Sequence, residues 1–196
     1  MPTSAVSSGF HLFVLYATLA VCYAPEWIGT FLQNPERHAK RRDGGSYAVL
    51  LVAMFAGIFF GFFFMYRPAA AVTWHPVLWF WTGIILMLAG AVYRWYAIQV
   101  LGRFFTRSVA TRAGQYVVDR GPYRHLRHLS YAGAWLTLPG LGMAMANWAS
   151  LVVVLAGGIM GYGWRMRIEE RVLCADLGEP YRQYMRRTWR IVPHVW

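Results

Sequence analysis

Apolar residues fill four blocks of this chain, and polar residues are confined to the stretches between them. Residues 10–32 (FHLFVLYATLAVCYAPEWIGTFL), 46–66 (SYAVLLVAMFAGIFFGFFFMY) and 76–101 (PVLWFWTGIILMLAGAVYRWYAIQVL) are long apolar runs. Each reaches the ~20 residues that an α-helix needs to cross a bilayer. The fourth block, residues 129–163, is interrupted by Pro139, Gly140, Gly142 and Asn147. Gly and Pro punctuate helices, so it reads as two shorter helices joined by a tight turn near Ala146. The pattern predicts an all-α integral membrane protein of five transmembrane helices, with a C-terminal helical hairpin and a cytoplasmic amphipathic tail. Residues 1–75 would form an N-terminal two-span region and residues 76–196 a core of three spans, a loop and the tail.

Composition supports this class. The 196 residues are 58% hydrophobic and 14% charged, with a formal net charge of +11, a combination rare in soluble domains. The N-terminal stretch MPTSAVSSGFH has no Lys or Arg, and the first block is long for a signal peptide, so a retained helix is expected. Charge sets the orientation. Residues 33–45 carry Arg37, Lys40, Arg41 and Arg42, residues 102–128 carry six arginines, and seven more follow Gly163. Seventeen of the nineteen cations therefore fall on one side, which the positive-inside rule makes cytoplasmic. The N-terminus would lie outside and the C-terminus inside.

Several chemistries are not expected. Cys22 lies in a span and Cys174 in the tail, so topology keeps them from a disulfide. His125 and His128 lack a further Cys or carboxylate at ligand spacing, so no metal is expected. The basic charge comes without an aromatic-basic recognition module, so no nucleic acid is expected either. Arginines beside spans more simply anchor to anionic membrane lipids. GLGMAM and GYGWRM lack the last glycine of the dinucleotide fingerprint and follow no strand. Gly57 and Gly61 form a G-x-x-x-G that suits close helix packing. Arg94, in the third span, is either a functional group or one that snorkels to the rim.

The remaining polar residues concentrate in two patches. One is RGPYRHLRHLSYAG, from Arg120 to Gly133; Arg112 extends its run of arginines. The other, WRMRIEERVLCADLGEPYRQYMRR, holds Glu169, Glu170, Asp176 and Glu179, four of the eight acidic residues. It reads as a helix leaving the last span, stopped at Gly178, with Pro180 opening a second short helix. Arg165 and Glu169 are four apart and share a helix face; as an ordinary exposed ion pair they would contribute little. A hairpin of the last two spans returns both patches to one rim. That rim would offer cations, a helix N-terminus near Ser130, imidazole, tyrosine hydroxyls and a carboxylate pair. Such a set suits a zwitterion bound beside lipid, its carboxylate on the arginines and helix N-terminus and its ammonium on a glutamate.

Three motifs carry a family resemblance. Gly-Pro-Tyr-Arg-x-x-Arg-His-x-Ser-Tyr-x-Gly (Gly121 to Gly133), Arg-x-x-x-Glu-Glu-x-x-Leu (Arg165 to Leu173) and Gly-x-x-Tyr-x-x-Tyr (Gly178 to Tyr184) resemble the isoprenylcysteine carboxyl methyltransferases. These are multi-span enzymes that use S-adenosylmethionine, and phospholipid N-methyltransferases share their C-terminal half. The resemblance covers roughly residues 90–196; the first two spans carry no matching motif. It implies that Gln115, Tyr116, Val117 and Val118 contact the cofactor through their backbone, and that Tyr123, His128, Leu129, Ser130 and Tyr131 contact it as well. Glu169 would hold the cofactor's ammonium, and Arg165 would face the acceptor carboxylate. Arg165 and Glu169 together are the implied catalytic pair. Leu129 stands where the family usually has proline; leucine also fits a first helical turn, and adds a backbone donor.

The resemblance implies methylation of the carboxylate of an amphiphilic acceptor, entering sideways from the bilayer. Methylation of a lipid amine is the alternative, with Glu170 or a histidine assisting loss of the amine proton. A non-catalytic membrane scaffold that keeps the fold is the alternative of another class.

Overall fold

The computed structural model describes residues 8–32, 40–41, 44–105, 109–111 and 114–193. Arg37, Arg42 and Arg112, part of the expected cytoplasmic charge, lie outside the described residues. The chain forms α1 (Gly9–Leu32), α2 (Ser46–Met65), α3 (Pro76–Leu101), α4 (Leu129–Ala144), α5 (Trp148–Leu177) and α6 (Glu179–Arg187). A two-residue antiparallel ladder pairs β1 (Lys40–Arg41) with β2 (Ala110–Thr111), joining the α1–α2 linker to the loop after α3.

Five spans are expected, and among the described residues three helices, α2, α3 and α5, are both long and apolar enough to cross a bilayer. α4 has 16 residues, short of the ~20 required, because the turn at Met145–Asn147 ends it early. α5 goes the other way. Its 30 residues rise ~45 Å, so it outruns a ~30 Å hydrocarbon core and carries the polar stretch from Arg165 onward on the same rod. Gly178, with φ 65°, stops it, and Pro180 sits in the first turn of α6.

The helices pair closely where small residues permit. α3 packs along α4 and α2 along α5. A Cβ at Gly90 would lie 2.6 Å from the Gly133 carbonyl oxygen, and one at Gly57 would lie 3.4 Å from the Gly157 Cα. Gly57 and Gly61 thus serve contact with α5 within the chain. Leu15, Leu50, Phe80, Met87, Leu138, Met145, Val154 and Met166 share one buried core drawn from α1 through α5. The periphery is as apolar as the interior, with Phe59 67%, Ile85 67% and Val152 62% exposed. That pattern suits lipid as the surrounding solvent.

The α4–α5 turn falls where expected. Ala146 adopts φ 46°. Asn147 Oδ1 accepts from the Ala149 and Ser150 N–H groups at 3.0 and 3.2 Å, capping α5.

Candidate active site

The antiparallel α4–α5 hairpin brings the first turn of α4 beside residues 165–170 of α5, and a single hydroxyl marks the junction. Tyr131 donates to Glu169 Oε2 at 2.6 Å and accepts from Arg165 Nε at 2.9 Å. Arg165 and Glu169 share a face, as their spacing predicts, and both meet Tyr131. Arg165 is 3% exposed, so this is a buried arrangement and not the solvated ion pair that would contribute little. The Glu169 side chain keeps 30% exposure.

His128 stands between the two glutamates. Its ring stacks on Tyr131 with centroids 5.5 Å apart. Nδ1 lies 4.0 Å from Glu169 Oε2, and Nε2 lies 3.1 Å from Glu170 Oε1. Glu170 points the other way, into a cluster of cations. Arg127 Nε donates to it at 2.7 Å, and Arg190 donates through Nε at 3.0 Å and Nη2 at 2.8 Å. Glu170 raises the Arg190 guanidinium above its ordinary pKa through these hydrogen bonds, against the opposite effect of burial. Arg190 stays charged.

The segment after α6 completes the rim. Trp189 N–H donates to the His125 carbonyl at 2.8 Å, Arg127 N–H to the Trp189 carbonyl at 2.9 Å, and His128 N–H to the Arg190 carbonyl at 3.0 Å. The Arg127 guanidinium also donates to the Thr188 carbonyl. Tyr184 donates its hydroxyl to the Tyr123 carbonyl at 2.7 Å. Burial pushes the Tyr123, Tyr181 and Tyr184 phenols well up, with the Glu169 carboxylate adding to the first two. All three remain neutral at physiological pH.

These elements enclose an open-sided cavity of about 100 Å³. Gln115, Tyr116, Val117, Val118, Tyr123, His128, Ser130, Tyr131 and Glu169 all line it. Two expected residues do not. Leu129 is fully buried with Ala97 and Tyr123, and its side chain packs into the core. Arg165 reaches the site through Tyr131. The Arg94 Nη1 donates to the Ser130 carbonyl at 2.9 Å, tying α3 to the first turn of α4.

Sequence reasoning missed part of this site. Phe104, Val172, Leu173, Leu177, Tyr181 and Tyr184 also line the cavity. Val172, Leu173 and Leu177 stand three, four and eight residues beyond Glu169, so helical periodicity could have placed them on its face. The cluster of Arg127, Glu170 and Arg190 carried no local signal, because its members come from three separate segments.

Comparison with known proteins follows the same residues. Residues 83–175 match the model of the isoprenylcysteine carboxyl methyltransferase family. A protein-S-isoprenylcysteine O-methyltransferase of Dictyostelium discoideum is 28% identical over 128 residues, 60% of this chain and 50% of that protein. Protein-S-isoprenylcysteine O-methyltransferase B of Arabidopsis thaliana is 28% identical over 115 residues, 58% of each chain. This chain thus spans about half of the curated relatives it matches. A solved structure of a eukaryotic intramembrane Ras methyltransferase superposes with a TM-score of 0.57 at 22% identity, over 95% of this chain and 63% of that one. That likeness establishes the fold. Residues 83–175, which contain the Gly121–Gly133 and Arg165–Leu173 motifs, are thus where this chain is similar to the isoprenylcysteine carboxyl methyltransferase family.

Proposed function

We propose that this protein is a membrane methyltransferase that esterifies the carboxylate of an amphiphilic, isoprenylcysteine-like acceptor with the methyl group of S-adenosylmethionine. The site would face the cytoplasm, the side to which the arginines assign the rim. One observation carries the reading: the Tyr131 hydroxyl, at the cavity wall, joins a buried arginine to a partly exposed glutamate. It sets an anion-binding group and a cation-binding group a few ångströms apart.

The cavity suits the cofactor class. Glu169 offers a carboxylate to an ammonium, and Phe104 and Tyr116, edge-to-face with centroids 5.0 Å apart, offer an aromatic surface to a purine. Val172, Leu173 and Leu177 add apolar lining to the same cavity. S-adenosylmethionine would supply a methyl carbon on a positively charged sulfur, which leaves as a neutral thioether without needing an acid. The residues of this chain then have a modest task. Arg165 holds the carboxylate, which is already ionised and needs no base. Tyr131 and His128 fix the orientation of Glu169. The apolar walls and the C-terminal segment exclude water, and most of the acceleration would come from alignment. Glu170, engaged by Arg127, His128 and Arg190, is poorly placed to deprotonate an amine. This favours the carboxylate over the lipid-amine reading.

The test is methyl transfer by the purified protein in detergent, from S-adenosylmethionine carrying a tritiated methyl. N-acetyl-S-farnesylcysteine and phosphatidylethanolamine vesicles serve as competing acceptors. A base-labile ester on the first is expected. Label on the amine would favour the alternative, and no transfer to either, with no cofactor binding by calorimetry, would leave a scaffold.

A further inference from the structure

The first turn of α2 approaches Arg165 and holds a buried hydroxyl that none of the described residues satisfies. α2 and α5 run antiparallel in a fixed register. A Cβ at Gly157 would lie 2.5 Å from the Ala53 carbonyl oxygen, and one at Gly161 would lie 3.3 Å from the Leu50 Cα. Advancing one turn along both helices from Leu50 and Gly161 sets Ser46 opposite Arg165. Tyr47 confirms the approach independently, since the Arg165 guanidinium carbon lies 5.5 Å from its ring centroid.

Ser46 is 0% exposed, and its Oγ has no hydrogen-bond partner among the described residues. A buried hydroxyl without a partner is costly, so its presence asks for a ligand atom. The surroundings specify which kind. Arg165 is cationic, and the first N–H groups of α2 have no intrahelical acceptor. Gly45, which precedes the helix, caps it with no side chain. Donors and positive potential therefore converge there, an environment that suits an anion.

We infer that Ser46 and Tyr47 complete the acceptor's carboxylate subsite: Ser46 Oγ donates to a carboxylate oxygen held by Arg165, while the Tyr47 ring covers the guanidinium. This rests on the proposed carboxylate acceptor and deepens it. It gives the N-terminal region, which carries no family motif, a direct part in choosing the substrate. The acceptor would then bind on the α2 side of Tyr131 and the cofactor on the α6 side, with the Tyr131 hydroxyl at the boundary.

The test compares binding of N-acetyl-S-farnesylcysteine and its methyl ester, by calorimetry in detergent, to the wild type and to Ser46→Ala. The ester lacks the charge that the subsite reads. The wild type should prefer the acid, and Ser46→Ala should lose roughly tenfold of that preference, the worth of one hydrogen bond to a charged group. Cofactor affinity and thermal midpoint should hold, because alanine replaces an unpartnered hydroxyl. In turnover, KM for the acid should rise with kcat little changed. Tyr47→Leu should also weaken acid binding, and Tyr47→Phe should restore it. Equal acid preference in wild type and Ser46→Ala, or no preference in the wild type, would overturn the subsite; so would a parallel loss of cofactor affinity. Failure of methyl transfer itself would count against the proposed reaction, and is read separately from this binding comparison.

Discussion

The two ends of the α4–α5 hairpin solve opposite problems with different chemistry. At the closed end, neutral groups meet carbonyls and N–H groups in full. Asn147 caps α5 and donates to the Arg67 carbonyl at 3.0 Å, Val72 N–H donates to the Ala146 carbonyl at 2.9 Å, and Ser150 donates its hydroxyl to the Gly61 carbonyl at 2.7 Å. At the open end the polar groups are charged, and they divide. Glu170 is enclosed by protein cations, 6% exposed at its side chain, whereas Glu169, its neighbour in sequence, is 30% exposed and lines the cavity. Neutral hydrogen bonds fix a geometry without creating a field. Charges create one, and the protein must neutralise those it does not use.

The largest effect should come from breaking the neutralised half. Glu170→Ala leaves Arg127 and Arg190 facing each other in a half-buried space, and removing one partner of a buried ion cluster costs ~3–5 kcal/mol. The thermal midpoint in detergent should fall steeply. The C-terminal segment should also loosen, since Arg190 joins it to α5; hydrogen exchange at residues 188–191 would report this. A midpoint close to that of the wild type would show that the cluster is no keystone.

Glu169→Gln should behave in the reverse way. The amide keeps the shape and can still accept from Tyr131, so stability should hold. Affinity for S-adenosylmethionine should fall by roughly 1.5–3 kcal/mol, the range for a hydrogen bond to a charged group. Calorimetry in detergent measures it. If Glu169→Gln lost stability and kept affinity, the roles assigned to the two adjacent glutamates would have to be exchanged.

Much of this difference could be read from the sequence, and the part that could not has a physical cause. The helices, the turn at Ala146 and the stop at Gly178 were legible because length, apolarity and turn chemistry are local. So was the convergence of the two motif patches, which follows from a hairpin. The choice of packing face was not. α2 and α3 are apolar all round, so periodicity carries no record of which side meets a neighbour and which meets lipid. Hence nothing announced that Ser46 would come opposite Arg165. Nor did the spacing of Arg165 and Glu169 reveal Tyr131 between them, from another helix. Arg190 looked like one more basic tail residue, and its role appears only once residues 188–191 lie against the Leu126 backbone.

The smallest of these effects belongs to the closed end, and it is the control for the whole comparison. Asn147→Ala removes two accepted N–H groups and the donor to Arg67. Loss of an N-cap typically costs about 1 kcal/mol, and all the groups released are neutral. The Arg67–Val72 loop can still hold the turn through the Val72-to-Ala146 backbone bond, which limits the loss further. The thermal midpoint should therefore drop by less than in Glu170→Ala, and cofactor affinity should be unchanged, because the turn lies at the far end of the hairpin from Glu169. Denaturation and calorimetry on the same preparation give both numbers. Were Asn147→Ala to weaken cofactor binding as much as Glu169→Gln, the two ends would be coupled along α5. The site would then depend on the register of the entire helix more than on the charges at its rim.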